Sequence, residues 1–134
     1  MANEITVTAG LRVNKGNLDY QSRPQVFTAD LNTAEGPFVG ALEISTSGTI
    51  IDLSEMSQPG VGRITNLDDT NRVEFGIWDG TSVFYPWGEW LPGETWPFRL
   101  SRYLQGPGTA GTWDLRGLAY GANVVALIEI FEGV

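Results

Sequence analysis

Apolar and polar side chains alternate with a period of two along most of this chain. From Glu4 to Val13 the pattern is clean, with Ile5, Val7, Ala9, Leu11 and Val13 on one side and Glu4, Thr6, Thr8, Gly10 and Arg12 on the other. It predicts a strand with one face in a core and one in solvent. Asn14-Lys15-Gly16-Asn17 is turn chemistry and predicts a hairpin returning through Leu18 and Tyr20. Pro24 and residues 30–37 read as loop. Strands are then predicted over Gly40–Ser45, Thr49–Leu53, Gly60–Leu67 and Arg72–Trp78, the last two joined by Asp68-Asp69-Thr70-Asn71. Asp79-Gly80 is a hairpin turn leading into Val83–Trp87. After the turn Leu91-Pro92-Gly93, alternation resumes in Trp96, Phe98 and Leu100. Gly106-Pro107-Gly108 breaks the chain before two final strands, Thr112–Ala119 and Asn123–Phe131.

About ten short strands spaced 8–12 residues apart, with 17 glycines and 7 prolines at the joints, predict an all-β fold: one antiparallel β-sandwich, jelly-roll-like, filling residues 1–134 as a single domain. Only Leu53–Met56 could make a helical turn, capped by Asp52 or Ser54 and stopped by Pro59. No internal repeat is present. At 134 residues the chain is long enough to bury roughly 65–70% of its unfolded surface in one core.

Composition narrows the chemistry. Cysteine and histidine are both absent, which removes disulfides, thiolate nucleophiles, Ser-His-Asp and Cys-His arrangements, and the commonest general base and metal ligand. No enzyme activity, cofactor or metal is therefore expected. The net charge is −8, and the seven arginines, at 12, 23, 63, 72, 99, 102 and 116, are scattered among acids with Lys15 as the single lysine. Phosphate recognition needs clustered cations, so neither nucleic acid nor an anionic membrane is an expected partner. The start MANEITVTAG has no apolar run, and no window approaches the ~20 apolar residues of a membrane span. A soluble protein made in the cytoplasm is expected.

Four of the five tryptophans lie between Arg63 and Leu100. Trp, Tyr and Arg dominate interface hot spots because each buries a large area at small entropic cost. Trp78, Phe84, Tyr85, Trp87 and Trp90, with Arg72, are the candidate anchors of a protein interface. Trp87 and Trp90, set among Pro86, Gly88, Glu89 and Pro92, are expected to be exposed on a loop, whereas Trp78 and Trp96 also fit a sandwich core. Ile5 and Val7 join the candidates, because a first strand can add to a neighbouring subunit's sheet edge or lie as an edge strand in its own sheet. Other readings remain open. Glu89 and Glu94 beside tryptophans suit a carboxylate-pair glycosidase, exposed rings suit sugar stacking in a carbohydrate-binding module, and Asp68, Asp69, Asn71 and Asp79 could supply oxygens to calcium or simply make turns.

The segment from Gly62 to Gly76, GRITNLDDTNRVEFG, followed by Leu91-Pro92-Gly93-Glu94, the alternation Trp96 to Leu100, and the start Asn3-Glu4-Ile5-Thr6-Val7, resembles a group of small virion proteins of tailed bacteriophages. In that group an NLD-x-TN-x-V hairpin precedes an L-x-PGE turn and an apolar final strand. The extra Trp87 and Trp90 depart from that pattern and point to a different neighbour in the particle. The resemblance spans most of the chain and implies a cement or decoration protein, made in the host cytoplasm and bound to the capsid exterior. It implies the major capsid protein as partner and a homotrimer as the assembled state. A tail or baseplate component is the near alternative.

Overall fold

The computed structural model describes residues 5–29, 38–54, 56, 59–101 and 113–132. Every described element is a β-strand and every pairing is antiparallel. Among the described residues twelve strands occur, against about ten expected: β1 (Ile5–Ala9), β2 (Arg12–Lys15), β3 (Leu18–Gln21), β4 (Gln25–Ala29), β5 (Phe38–Ile44), β6 (Thr49–Ile50), β7 (Pro59–Asn66), β8 (Val73–Trp78), β9 (Phe84–Trp90), β10 (Thr95–Arg99), β11 (Asp114–Ala119) and β12 (Val124–Glu132). No described helix is long and apolar enough to cross a membrane. The single turn expected near Leu53 is present as a Met56 N–H to Leu53 carbonyl bond, with Asp52 accepting from the Ser54 amide.

Strands β5–β12 form two four-stranded sheets, β10-β7-β12-β5 and β6-β11-β8-β9. Counting β5 as the first of eight, the orders are 6-3-8-1 and 2-7-4-5, the winding of a double-sheet jelly roll. Only β8 and β9 are joined as neighbours in one sheet; every other connection within the eight crosses between sheets. The crossings gather the turns 45–48, 67–72, 91–94 and 120–123 at one end of the sandwich, where they bond to one another. The 67–72 segment is therefore an arch between sheets, not the turn of a hairpin. Its Asp-rich sequence allows either, and the apolar inner faces of both β7 and β8 demand the crossing.

Period-two patterning is realised most fully in β12, where Val124, Ala126, Ile128 and Ile130 are buried and the intervening residues are not. They meet Val73, Phe75, Leu115 and Ala119 from the opposite sheet in one continuous core. Asn66, at the end of β7, is fully buried and fully engaged: Nδ2 donates to the Asn71 and Trp90 carbonyls (2.9 and 3.1 Å), and Oδ1 accepts from the Asp68 amide (2.9 Å). Its own amide donates to the Glu94 carbonyl and its carbonyl accepts from Gly93. One side chain thus joins the arch to the end of β9, and its main chain holds the 91–94 turn.

Strands β1–β4 stand apart as a long two-stranded arm. β1 pairs with β4 and β2 with β3 around the Gly16-Asn17 turn, where Gly16 takes the left-handed φ of 59° that a two-residue hairpin requires. The hairpin expected at Asn14–Asn17 is present. The expected burial of Ile5 through Val13 against the core is not. Ile5 and Val7 are half-buried, and Leu11 and Val13 are exposed. Alternation reports that one face is apolar, not that the same chain covers it.

Two turn carboxylates are held ionised by backbone amides. Asp79 Oδ1 accepts the amides of Thr81, Ser82 and Val83 (2.8–3.0 Å), and Asp68 Oδ1 accepts those of Thr70 and Asn71. These backbone bonds, Val83's first for Asp79 and Asn71's first for Asp68, hold both carboxyls below the ordinary Asp value. A depressed carboxyl binds fewer protons folded than unfolded, so its contribution is present above the unfolded pKa and is lost as pH falls through the folded one. Thermal unfolding followed between pH 5 and pH 2 should show a falling midpoint whose slope is shallower in Asp79→Asn. Equal slopes in parent and variant would remove Asp79 from the acid response.

Candidate functional site

The open flank of the sandwich, between edge strands β9 and β10, carries the chain's aromatic surface. The ladder between β8 and β9 runs Trp78↔Phe84, Ile77↔Tyr85 and Gly76↔Pro86, then slips by one so that Phe75 faces Gly88. Trp87 is the extra residue of that bulge, a device that bends a strand and re-aims a side chain. Its ring turns toward the neighbouring edge strand and lies 5.5 Å from Phe98 of β10 and 5.4 Å from Trp90. Trp87 is 42% exposed. A shallow apolar cleft of about 260 Å³ opens beside it, walled by Ile77, Phe98, Leu100 and Ser101. Tyr85 continues the surface to Trp113, 5.6 Å away, and Trp96 extends it along β10 with Nε1 directed at Glu94 Oε2.

Trp90 lies inside. It is 2% exposed, donates from Nε1 to the Ile64 carbonyl of the opposite sheet (3.1 Å) and meets the Phe75 ring edge-on at 5.1 Å. The expectation of an exposed Trp90 is overturned, because β9 continues through Gly88 and Glu89 instead of ending in a loop. Gly88 makes room for the indole: a Cβ there would sit 2.6 Å from the ring.

The remaining candidates divide between other surfaces. Trp78 and Phe84 face away from the core on the second sheet, half-buried, with the Arg116 guanidinium 3.9 Å over the Trp78 ring. Arg72 is engaged within the chain: Nη1 bonds Glu89 at 2.6 Å and Glu74 at 3.3 Å, and the guanidinium stacks 4.0 Å over Tyr120. Glu89 and then Glu74 raise the Arg72 pKa, while the hydrogen bond to Glu74 and then burial raise that of Tyr120. Ile5 and Val7 pair with β4 of their own arm. Trp96 and Trp113, 47% and 46% exposed, belong to the flank. For Trp96, whose pattern fits either a core or a surface position, the exposed outcome holds, and Trp113 has no signal of its own in the sequence. Trp96 shares the inward parity of Phe98, but β10 has no neighbour beyond it, so the ring emerges at the side.

Carboxylate chemistry has little support in this geometry. Glu89 is bound to Arg72 on the outer face of the second sheet, while Glu94 closes the 91–94 turn by accepting the Leu91 amide. Among the described residues no group of three or more acidic side chains is placed to hold a metal, and Asp68 and Asp79 each spend Oδ1 on their own turn at opposite ends of β8. Near β6, Asp114 is raised above the usual Asp value by burial and by Asp52.

Pro86 and Pro97 sit within the two edge strands of the flank. Neither can donate to an added strand, a common way of closing sheet edges against pairing. What the flank offers is ring faces and a cleft. Comparison with known proteins found no matching family model, no matching curated protein and no matching solved structure.

Proposed function

We propose that this protein is a structural component of a phage particle that binds the outside of the capsid and stabilises subunit junctions, with the major capsid protein as its partner and no reaction of its own. The observation that carries this reading is the aromatic flank: Tyr85, Trp87, Trp96 and Trp113 exposed together on a sandwich edge whose prolines disfavour strand pairing. Exposed rings held by a β-scaffold are hot-spot material, since they lose little entropy on docking and bury much apolar area. The resemblance of the 62–76 and 91–100 segments supplies the setting.

The first test is the copy number of the protein in gradient-purified particles, measured by quantitative mass spectrometry against the major capsid protein. Near-stoichiometric amounts support the cement role. A few to a few dozen copies would move the protein to the tail or a vertex, and its absence would sink the reading. The second is the pair Trp87→Ala and Trp96→Ala, chosen because both rings are about half exposed. Each should cost stability modestly, about 1–2 kcal/mol or less, while weakening particle binding by roughly 30-fold as an anchor of ~2 kcal/mol, and the two together by roughly 800-fold. Unchanged binding would remove the flank from the interface.

A second reading, carbohydrate binding, is favoured by one detail: the Trp96 indole lies beside the Glu94 carboxylate, a ring face with an adjacent acceptor. Lectins include jelly rolls. Oligosaccharides that quench the tryptophan fluorescence of the parent but not of Trp96→Ala would support it, and a panel without any response would end it.

A further inference from the structure

The arm carries an apolar stripe that its own chain covers only at the base. Alternation along β1 and β2 places Ile5, Val7, Leu11, Val13 and, at the tip, Lys15 on one face, and the ladders set Ala29 and Phe27 beside Ile5 and Val7, Tyr20 beside Val13 and Leu18 beside Lys15. The opposite face of the tip is Arg12, Asn14, Asp19 and Gln21. Near the domain the apolar face is partly shielded: Ala29 is buried, Ile5 and Val7 are half-buried, and β1 lies over the outer face of the first sheet, across a cleft of about 490 Å³ lined by Val61, Pro97 and Phe131. Farther out it is not. Every residue from Arg12 to Gln21 is exposed, with Leu18 at 58% and Tyr20 at 54%. A two-stranded hairpin alone is marginal in water and gains stability only when its apolar face is packed.

The same outer face of the first sheet has an uncovered half. On β5 and β12, the register Ala41↔Leu127, Glu43↔Val125 and Val39↔Glu129 sets Val39, Ala41, Val125 and Leu127 side by side, with Val39 56% and Val125 41% exposed and Glu43 and Glu129 at the margin. Charge is distributed to match. Residues 10–24 of the arm hold Arg12, Lys15 and Arg23 against Asp19, a net of +2, so the rest of a chain whose total is −8 carries −10.

We infer that the arm tip docks on a second copy of this chain, laying Leu18 and Tyr20 on the Val39–Val125 strip and bringing Lys15 toward Glu43. Each copy's own arm base lies over the β7–β10 half of the sheet, and a neighbour's tip covers the β12–β5 half. The contact joins two different patches, so it propagates into a closed ring or a mutual exchange. It stands apart from the flank and from any capsid.

Sedimentation equilibrium of the full chain over a dilution series tests this. The parent should form a concentration-dependent assembly that weakens in salt. Leu18→Asp/Tyr20→Asp and, separately, Val39→Asp/Val125→Asp should each raise the dissociation constant at least about tenfold, as loss of one buried anchor implies. Mixing the two variants should restore a 1:1 complex, because one supplies the strip and the other the tip. Near-UV circular dichroism confirms that each variant is folded. The chain has no cysteine, so Tyr20→Cys and Val39→Cys, mixed and oxidised, should give a mixed disulfide in excess of the homodisulfides each variant forms alone, without relying on disruptive variants. A parent of single-chain mass at every concentration, or an assembly indifferent to the tip substitutions, overturns the inference. Particle binding of the flank variants is read independently, so failure of either proposal leaves the other intact.

Discussion

Trp90→Ala is expected to cost about 3–5 kcal/mol of folding stability, a large share of the 5–15 kcal/mol typical of a domain. Removing the indole leaves a cavity between the sheets, lined by Phe75 and Trp87, that neither inner face can close. It also leaves the buried Ile64 carbonyl without its Nε1 donor. The two contributions can be separated. Trp90→Phe keeps an apolar ring and loses the donor, so its cost should be smaller, about 1–3 kcal/mol. Urea unfolding followed by far-UV circular dichroism would measure both. A loss below about 1 kcal/mol for Trp90→Ala would show that the site collapses freely and that the indole is no staple. Gly88 offers a check from the opposite direction: Gly88→Val should disturb the same ring without touching it chemically, since the added Cβ occupies the indole's place.

Asn66→Ala is expected to cost about 2–4 kcal/mol, although it removes only a short side chain. The deletion strands the Asp68 amide and the Asn71 and Trp90 carbonyls at a buried end of the sandwich. Asn66→Asp is more diagnostic. Its carboxylate keeps an acceptor for the Asp68 amide but faces two carbonyls that need a donor, so its pKa should rise above the ordinary Asp value. A carboxyl raised in the folded state imposes a penalty that is present above the folded pKa and is relieved as protonation restores a donor. The Asn66→Asp variant should therefore gain stability relative to the parent as pH falls from 7 toward 4, against the trend set by Asp68 and Asp79. A pH-independent difference between the two proteins would show that the Asn66 amide is not the donor.

Both sites lie within the motif-bearing part of the chain, yet they were legible to different degrees. Turn residues were well marked. Asp79-Gly80 is the hairpin turn it was read to be, and Gly16 occupies the tight turn of the arm. Strand identity followed from alternation nearly everywhere, with ends shifted by a few residues and β9 extended through Trp90. The arch at 67–72 is the instructive failure in topology. Asp68 and Asn71 announce a change of direction, but whether the chain turns back to its own sheet or crosses to the other depends on which sheet can bury Val73 and Phe75.

The flank failed for a related reason. Period two assigns Trp96, Phe98 and Leu100 to one side of a strand and says nothing of whether another strand lies beyond. Because β10 is an edge, the exposure of that row changes along its length: Leu100 is buried, Phe98 half-buried and Trp96 exposed. Trp87 and Trp90 look alike in sequence and differ because Trp90 enters the core, whereas the bulge turns Trp87 across the open edge toward β10, where it stays 42% exposed. One extra residue in a ladder has no signature in hydropathy.

What this chain's sequence determined by itself is the local grammar: an all-β sandwich, its turns, its acidic surface, and the absence of histidine and cysteine from any chemistry it performs. Those properties follow from side-chain periodicity and composition, which act within a few residues. Only the tertiary structure decided which apolar faces are covered, since burial depends on what lies across a gap that the sequence does not measure. It put Trp90 inside and Trp96 outside, made Asn66 the joint between the sheets, and left half of the arm's apolar stripe facing solvent.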